Sequence, residues 1–258
     1  MKIAIIGYGK MGHMIEEVAL SRGHEITCVI EKAPLDPPMK GGREVYSPEE
    51  GFQSEAFRSA DVAIEFTTPA TAEENIRKAW AQGVPVVSGS TGINKPNPDP
   101  SLKGWEEGNK WVVRNKDGKV MLVWSSNYSV GVNIFFEVNK LLAAKMASQP
   151  QYTPSITETH HIHKLDKPSG TAKTLAEQIE NELPSLQGEE LRSIERPEDG
   201  RRTSGGRLPI ESIREGEVPG THEVKWDSEE DTIIIKHIAK GRRGFALGAV
   251  LAAEKIKN

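Results

Sequence analysis

Apolar and polar positions change period several times along this chain, and each change predicts an element. Residues 2–6 (KIAII) form a short unbroken apolar run ended by Gly7, the pattern of a buried strand. From 10 to 22 the spacing is helical: Met11, Met14, Ile15, Val18 and Ala19 share a face, and Gly23 stops the helix. EITCVI (25–30) predicts a second strand, and 31–46, rich in Pro, Gly and charge, a loop. DVAIEF (61–66) predicts a strand, Pro69 opens a helix that runs over 70–82 to Gly83, and VPVVS (84–88) and KVMLVWS (119–125) predict two more strands. The proline-rich stretch 94–118 predicts a short helix near 101–108, a short strand over Trp111–Arg114 and a turn at Lys116-Asp117-Gly118. Strands alternating with helices mean βαβ units, and right-handed crossovers turn these into a doubly wound parallel sheet.

Past residue 127 the texture changes. Residues 131–148 predict a long helix, TPSITETHH (153–161) alternates like a half-exposed strand, and 170–183 predict another helix. RLPIESIRE, THEVKW and TIIIKHI follow within 207–238 with no helix between them, which predicts a mixed or antiparallel sheet, and 245–257 close the chain as an amphipathic helix. The expected class is therefore α/β: a Rossmann-like doubly wound domain plus an α+β domain. The first is expected over 1–127 and the second over 128–238.

Composition narrows the function. A net charge of −4 and a pI near 6.0 argue against a general nucleic-acid binder, which needs a basic face. No apolar run approaches the length that crosses a bilayer, and the N-terminal run is too short for a signal sequence. The one cysteine, Cys28, can form no intrachain disulfide, which suits a reducing compartment, and the cytoplasm is the expected location.

Two constellations carry chemistry. Gly7-Tyr8-Gly9-Lys10-Met11-Gly12 matches G-x-G-x-x-G, a weak pattern alone, but here it follows a strand and opens a helix. Glu31 closes the second strand nineteen residues after Gly12, where a carboxylate can accept bonds from both ribose hydroxyls. It would repel a 2′-phosphate and so favours NADH over NADPH, while Lys10 and Lys32 could attract that phosphate. Phe66 and Thr67, and Gly89-Ser90-Thr91-Gly92, end two further strands on the same edge, where they could hold the nicotinamide side; ordinary turn chemistry accounts for these residues equally well.

The second constellation runs from Glu158 to Thr171 and packs His160, His161, His163 and Lys164 into five positions just before the helix start Pro168-Ser169-Gly170-Thr171. A helix N-terminus beside Lys and His is a carboxylate trap, and a histidine near neutral pH can donate a proton. Acid catalysis with anion binding ranks first, a solvated basic loop second and a metal site third, because His-His-x-His lacks helical i, i+4 spacing. Asp166 is read as shaping the loop, His237 as structural and the tryptophans as packing.

The run E-T-H-H-I-H-K-L-D-K-P-S-G-T-A over 158–172, after a nucleotide-binding half, resembles the signature E-x-H-H-x-x-K-x-D-x-P-S-G-T-A of the 4-hydroxy-tetrahydrodipicolinate (dihydrodipicolinate) reductases. The similarity extends to Glu65-Phe66-Thr67, the loop 89–92, Asn127-Tyr128-Ser129-Val130-Gly131-Val132-Asn133, Gly216 with Gly220 and His222, and the tail from Gly244 to Ala249. It implies His160 as proton donor and Lys164 as its assistant. His161, Gly170 and Thr171 would hold substrate carboxylates. Gly89, Ser90, Thr91, Ser125, Ser126, Asn127 and Tyr128 would line the nicotinamide side. It further implies NADH or NADPH as cofactor, no resident metal, a final helix (239–258) packed back on the nucleotide domain, and a second domain (128–238) that binds substrate and pairs with other subunits in a homotetramer. Three departures stand out: the glycine loop is one residue shorter with Lys10 in place of an arginine, Tyr128 replaces a phenylalanine, and 109–118 resembles an insertion.

Two other functions fit part of the pattern. An aspartate-semialdehyde dehydrogenase of similar layout needs a cysteine nucleophile, and Cys28 lies inside a predicted strand. A nicotinamide-sensing protein would keep the glycines and Glu31 but would not need His160 and Lys164.

Overall fold

Side chains alternate sides along a strand, so a run apolar at every position must be covered on both faces. In the computed structural model, which describes residues 1–32, 44–93, 95–183 and 208–257, β1 (Lys2–Ile6) sends Ile3 and Ile5 into one apolar cluster and Ala4 and Ile6 into another. Helix α1 (Lys10–Ser21) closes the first cluster with Ile15, Val18 and Ala19. The second receives Cys28 and Ile30 from β2 (Glu25–Ile30). The loop expected over 31–46 lies outside the described residues at 33–43, and its end is not loop: β3 (Val45–Tyr46) pairs parallel with β2. Helix α2 (Glu55–Arg58), where the Ser54 hydroxyl accepts the Phe57 N–H at 3.1 Å, buries Phe57 in the second cluster.

The chain continues through β4 (Val62–Glu65), α3 (Pro69–Ala81), β5 (Val86–Ser88), β6 (Gly104–Glu107), β7 (Lys110–Arg114) and β8 (Val120–Trp124). One sheet results, in the order β3-β2-β1-β4-β5-β8-β7-β6. It is parallel through β8 and antiparallel in its last two strands. The helix expected near 101–108 is therefore a strand. Gly108, at φ +63°, and Asn109 form the turn of a β6–β7 hairpin, a signal that outweighs the short helical spacing. Gly104 also sits against the Trp111 ring, where a Cβ would stand 2.1 Å from the ring, a cross-strand packing that a helix could not make. The region resembling an insertion thus extends the sheet edge.

The second unit begins with α4 (Val130–Met146), followed by β9 (Thr153–His160), α5 (Gly170–Glu182), β10 (Ile210–Arg214), β11 (Thr221–Asp227) and β12 (Thr232–Ile238). The strands lie in the order β10-β9-β11-β12, with β10 parallel to β9 and the other pairs antiparallel. Strand β9 alternates strictly: Pro154, Ile156, Glu158 and His160 are buried, and Ser155, Thr157 and Thr159 are half-buried. The register puts Ile210 and Val224 beside Ile156, and Ser212 and His222 beside Glu158. One face of the sheet is thus apolar, covered by Phe136, Leu175 and Ile179 of α4 and α5, and turns polar at one end.

Helix α6 (Arg243–Lys257) returns to the first sheet, where Ala246, Ala249, Val250 and Ala253 join the β1–α1 cluster and Glu254 pairs with Arg22 at 2.7 Å. Gly248 permits this approach, since a Cβ there would stand 1.6 Å from the Tyr128 carbonyl oxygen. The chain so divides into two compact units, Met1–Val130 with Arg242–Asn258, and Gly131–Gly241. Among the described residues no helix is long and apolar enough to cross a membrane.

Candidate active site

Strands β1, β2, β4, β5 and β8 run parallel, so their C-terminal ends share one edge of the sheet. Every residue expected to bind the nucleotide follows one of those ends. Gly7 has φ +88°, and a Cβ there would lie 2.3 Å from the Phe66 carbonyl oxygen; one on Gly12 would lie 2.4 Å from the Gly7 carbonyl oxygen. Gly9 is different: nothing lies within 4 Å of where its Cβ would be. It stands at the N-cap of α1 and supplies no side-chain cap, so the first-turn N–H groups of Lys10, Met11 and Gly12 are suited to an anion. The Glu31 carboxylate is fixed beside them, accepting the Tyr8 N–H at 2.5 Å and the Lys32 N–H at 2.7 Å. An open glycine, an uncapped helix start and a carboxylate at the next strand end fit a dinucleotide.

Buried Glu65 ties two of the loops together. It accepts the Thr67 N–H at 2.9 Å, the Ser90 hydroxyl at 2.8 Å and the Ser88 hydroxyl at 2.5 Å, and also the Thr67 hydroxyl. The Trp124 indole donates to the Ser90 carbonyl at 2.9 Å. Gly89 lies under the Phe66 ring, with no room for a Cβ, while Thr91 and Ser126 are exposed. Ser125 is buried within its own loop, its hydroxyl 2.9 Å from the Asn127 carbonyl, and Asn109 of the hairpin donates to that carbonyl at 3.2 Å. Two expected residues have their side chains turned into the protein. The Tyr8 ring is buried against His13 with its hydroxyl on Glu16. The Tyr128 hydroxyl, the group that distinguishes it from phenylalanine, lies 2.7 Å from the Val123 carbonyl and 3.0 Å from that of Ser88, and burial pushes the phenol well up.

In the second unit, β9 delivers His160 at the polar end of the buried face. Its Nδ1 lies 3.0 Å from Glu158 Oε2. Glu158 is wholly buried; Oε1 accepts from Arg214 at 3.2 Å and from the Ser169 N–H at 3.1 Å. The Ser169 hydroxyl caps α5 by accepting the Ala172 N–H at 3.2 Å, and it stands 3.1 Å from His222 Nε2. Lys164 Nζ is 2.7 Å from Asp166, and Arg214 donates to the Lys164 carbonyl at 3.1 Å and the Asp166 carbonyl at 2.5 Å, which fixes the loop. His161 is half-buried, Gly170 exposed and Thr171 half-buried at the start of α5, while His163 is exposed and pairs with Glu217 at 3.3 Å. His160, Lys164 and the helix start are thus gathered by one loop and one strand end.

Burial alone would raise the Glu158 carboxyl, but its contacts with His160, Ser169 and Ser212 outweigh that and hold it well below the usual range. Burial pushes the His222 imidazole down to about 3, with the charge of His160 acting in the same direction. Glu158, His160 and His222 bring their ligand atoms within 4.8 Å of one another, and Arg214 sets positive charge against the same carboxylate. The depressed His222 has a stability consequence. Below about pH 6.5 the unfolded imidazole takes a proton that the folded one refuses until about pH 3, so stability is lost as pH falls through that window. At pH 5 the loss relative to pH 8 is about 2 kcal/mol. Urea midpoints at the two pH values measure it, and His222→Gln should flatten the difference; an equal difference in both proteins would contradict the assignment.

Sequence reasoning gave Glu65, Arg214 and His222 no role in a site. Arg214 and His222 come from strands that meet β9 only through sheet register, which no local spacing signals. Glu65 carried a signal, since an acid ending an otherwise apolar strand must find donors when buried.

Comparison with known proteins places this geometry. Residues 1–128 match the family description "Dihydrodipicolinate reductase, N-terminus" and residues 131–258 match "Dihydrodipicolinate reductase, C-terminus". A 4-hydroxy-tetrahydrodipicolinate reductase of Christiangramia forsetii is 40% identical over 258 residues, covering 100% of this chain and 93% of the relative. One from Staphylococcus aureus is 32% identical, covering 100% and 95%. Among solved structures, dipicolinate-bound dihydrodipicolinate reductase from Paenisporosarcina sp. TG-14 shares the fold, with TM-score 0.70 at 21% identity over 100% of this chain and 94% of that one. An aspartate semialdehyde dehydrogenase from Vibrio cholerae shares it more distantly, with TM-score 0.52 at 10% identity over 99% and 97%.

Proposed function

The chain belongs to the dihydrodipicolinate reductase family, and from that premise we propose that it reduces the dehydrated imine of (S)-4-hydroxy-2,3,4,5-tetrahydrodipicolinate to 2,3,4,5-tetrahydrodipicolinate with a reduced nicotinamide dinucleotide, a step toward diaminopimelate and lysine. The observation that carries the reading is the His160–Lys164 loop leading into the N-terminus of α5, in a chain whose other unit has an uncapped α1 beside Glu31.

The residues divide the work. The N–H groups of Lys10, Met11 and Gly12 would hold the pyrophosphate and Glu31 the adenosine ribose. The loops pinned by Glu65 would line the nicotinamide, with Phe66, Thr67, Gly89, Ser90, Thr91 and the backbone of 125–128. Bound, the reduced nicotinamide supplies a hydride to the conjugated imine. His160 gives the proton that quenches the resulting charge, and Lys164, held by Asp166, neutralises it. The N–H groups of Gly170 and Thr171, with His161, hold the two substrate carboxylates and so orient the ring. The aldehyde-dehydrogenase alternative fails on its nucleophile, since Cys28 is fully buried in β2 and burial pushes its thiol up to about 11.

Glu31 favours NADH. The test compares kcat/KM for NADH and NADPH in the wild type and in Glu31→Gln. The wild type should prefer NADH, and the ratio should fall roughly tenfold in the variant, the loss of one charge–charge repulsion worth about 1.4 kcal/mol. A wild-type preference for NADPH would overturn the assignment.

A homotetramer through the second sheet is also proposed. Its face opposite α4 and α5 carries Ile213 on β10 and Ile234 and Ile238 on β12, and the two isoleucines on β12 are 51% and 61% exposed. Burial of that face against another copy would remove them from water. Light scattering at the mass of four chains supports this, and a monomer mass contradicts it. The activity is proposed for the cytoplasm, where a lone thiol stays reduced.

A further inference from the structure

The geometry points to Glu158 as the positioning residue of the proton donor: it takes the Nδ1 side of His160, so that the proton His160 gives up leaves from Nε2. The inference rests on the reading of His160 as the acid, and it adds which nitrogen acts and what decides it.

Four observations converge. First, the two residues are separated by one position on β9, so both side chains fall on the buried face, and Glu158 Oε2 stands 3.0 Å from His160 Nδ1. Second, the carboxylate has no exposure at all, and a buried carboxylate is costly unless donors and cations meet it. Its oxygens divide the partners: Oε1 takes Arg214 and the Ser169 N–H, and Oε2 faces His160. Third, His222 does not displace His160 from Oε2. Its Nε2 is 3.8 Å away and only 3.1 Å from the Ser169 hydroxyl, and burial keeps the ring neutral near pH 7. Fourth, the opposite nitrogen is kept clear. Gly220, at φ +150°, lies so near that a Cβ there would come within 3.1 Å of His160 Nε2. A side chain at 220 would crowd the nitrogen that has to reach the substrate.

Among the described residues, the charged and titratable groups around His160 are Glu158 on its own strand, His222 on β11, Arg214 on β10 reaching it through Glu158, and Lys164 in the loop that follows. In the transfer, the Nε2–H bond breaks and the proton joins the substrate atom that holds the electron pair brought by the hydride. The imidazole left behind is neutral and keeps its other proton on Nδ1, facing Glu158. A carboxylate there stabilises the charged ring before transfer and selects the tautomer after it.

The experiment has two parts. Nitrogen-15 NMR of histidine-labelled wild-type protein reports the neutral tautomer of His160, assigned by its absence in His160→Gln; the Nδ1–H form is expected. This part needs neither turnover nor a variant at 158, so it tests which nitrogen keeps the proton even if Glu158→Gln does not fold or the protein fails to reduce this substrate. The second part is the steady-state kinetics of Glu158→Gln. Its kcat at neutral pH should fall at least tenfold with KM changed little, and Glu158→Asp should partly restore it. The same change made in His160→Gln should add nothing. The Nε2–H tautomer in the wild type, or a kcat loss of equal size with and without His160, would overturn the proposal.

Discussion

Replacing His160 with glutamine should lower kcat by about 10²–10⁴-fold, the usual contribution of a positioned general acid, while leaving the affinity for reduced nicotinamide unchanged. The side chain is largely buried at the polar end of β9, and its volume and shape are approximated by glutamine. The change therefore removes a titrating proton without opening a large cavity. The nucleotide edge belongs to the other unit, built on β1, β2, β4, β5 and β8. Stopped-flow single turnovers would report the chemical step and cofactor fluorescence the affinity. A variant that keeps more than about a third of wild-type kcat would remove His160 from the role of acid. Lys164→Ala should lose rate by a smaller factor with a larger rise in KM, because an ammonium held by Asp166 at 2.7 Å acts on charge in both the bound substrate and the transition state.

Gly7→Ala should cost stability and Gly9→Ala should cost binding. At Gly7 an alanine meets two penalties. The left-handed φ of +88° costs roughly 1–2 kcal/mol. The Cβ would also stand 2.3 Å from the Phe66 carbonyl oxygen, so backbone must move, which typically costs about 1–3 kcal/mol. The sum is about 3 kcal/mol, or roughly 6–12 °C in Tm for a chain of this size. At Gly9 φ is −75° and nothing lies within 4 Å of the new methyl group, so Tm should stay within about 2 °C. The methyl group would instead occupy the space in front of the uncapped α1, and the Kd for NADH should rise at least tenfold. Thermal melts and fluorescence titrations of both variants separate the two effects. A Gly9→Ala protein that binds NADH as the wild type does would remove the pyrophosphate from that helix start.

What could be read from the chain and what could not differ in physical kind. Strands β1, β2, β4 and β5 were legible because parallel strands buried on both faces leave apolar runs bounded by glycine or proline. The glycine loop with Glu31 was legible because it depends on distances along the sequence, and the cluster from His160 to Lys164 because five adjacent residues carry it. The β6–β7 hairpin was not, since a few residues of helical spacing weighed against a Gly-Asn turn whose strength lies in the cross-strand packing of Trp111 on Gly104. Nor were the partners of His160. Arg214 and His222 reach Glu158 only after β10 and β11 register against β9, a long-range property. Tyr8 is expected near a ligand from the glycine motif and Tyr128 from the resemblance; their side chains turn inward because an aromatic ring between two apolar layers gains more from burial than from water.

The central claim is tested most directly by following reduced-nicotinamide absorbance while the substrate is formed in place from pyruvate and aspartate semialdehyde by the condensing synthase. Consumption of NADH that depends on the synthase and on this protein, and that collapses in His160→Gln, is the expected result. A protein that binds NADH but consumes neither NADH nor NADPH under those conditions would contradict the reductase assignment and leave a nicotinamide sensor as the reading of the same fold.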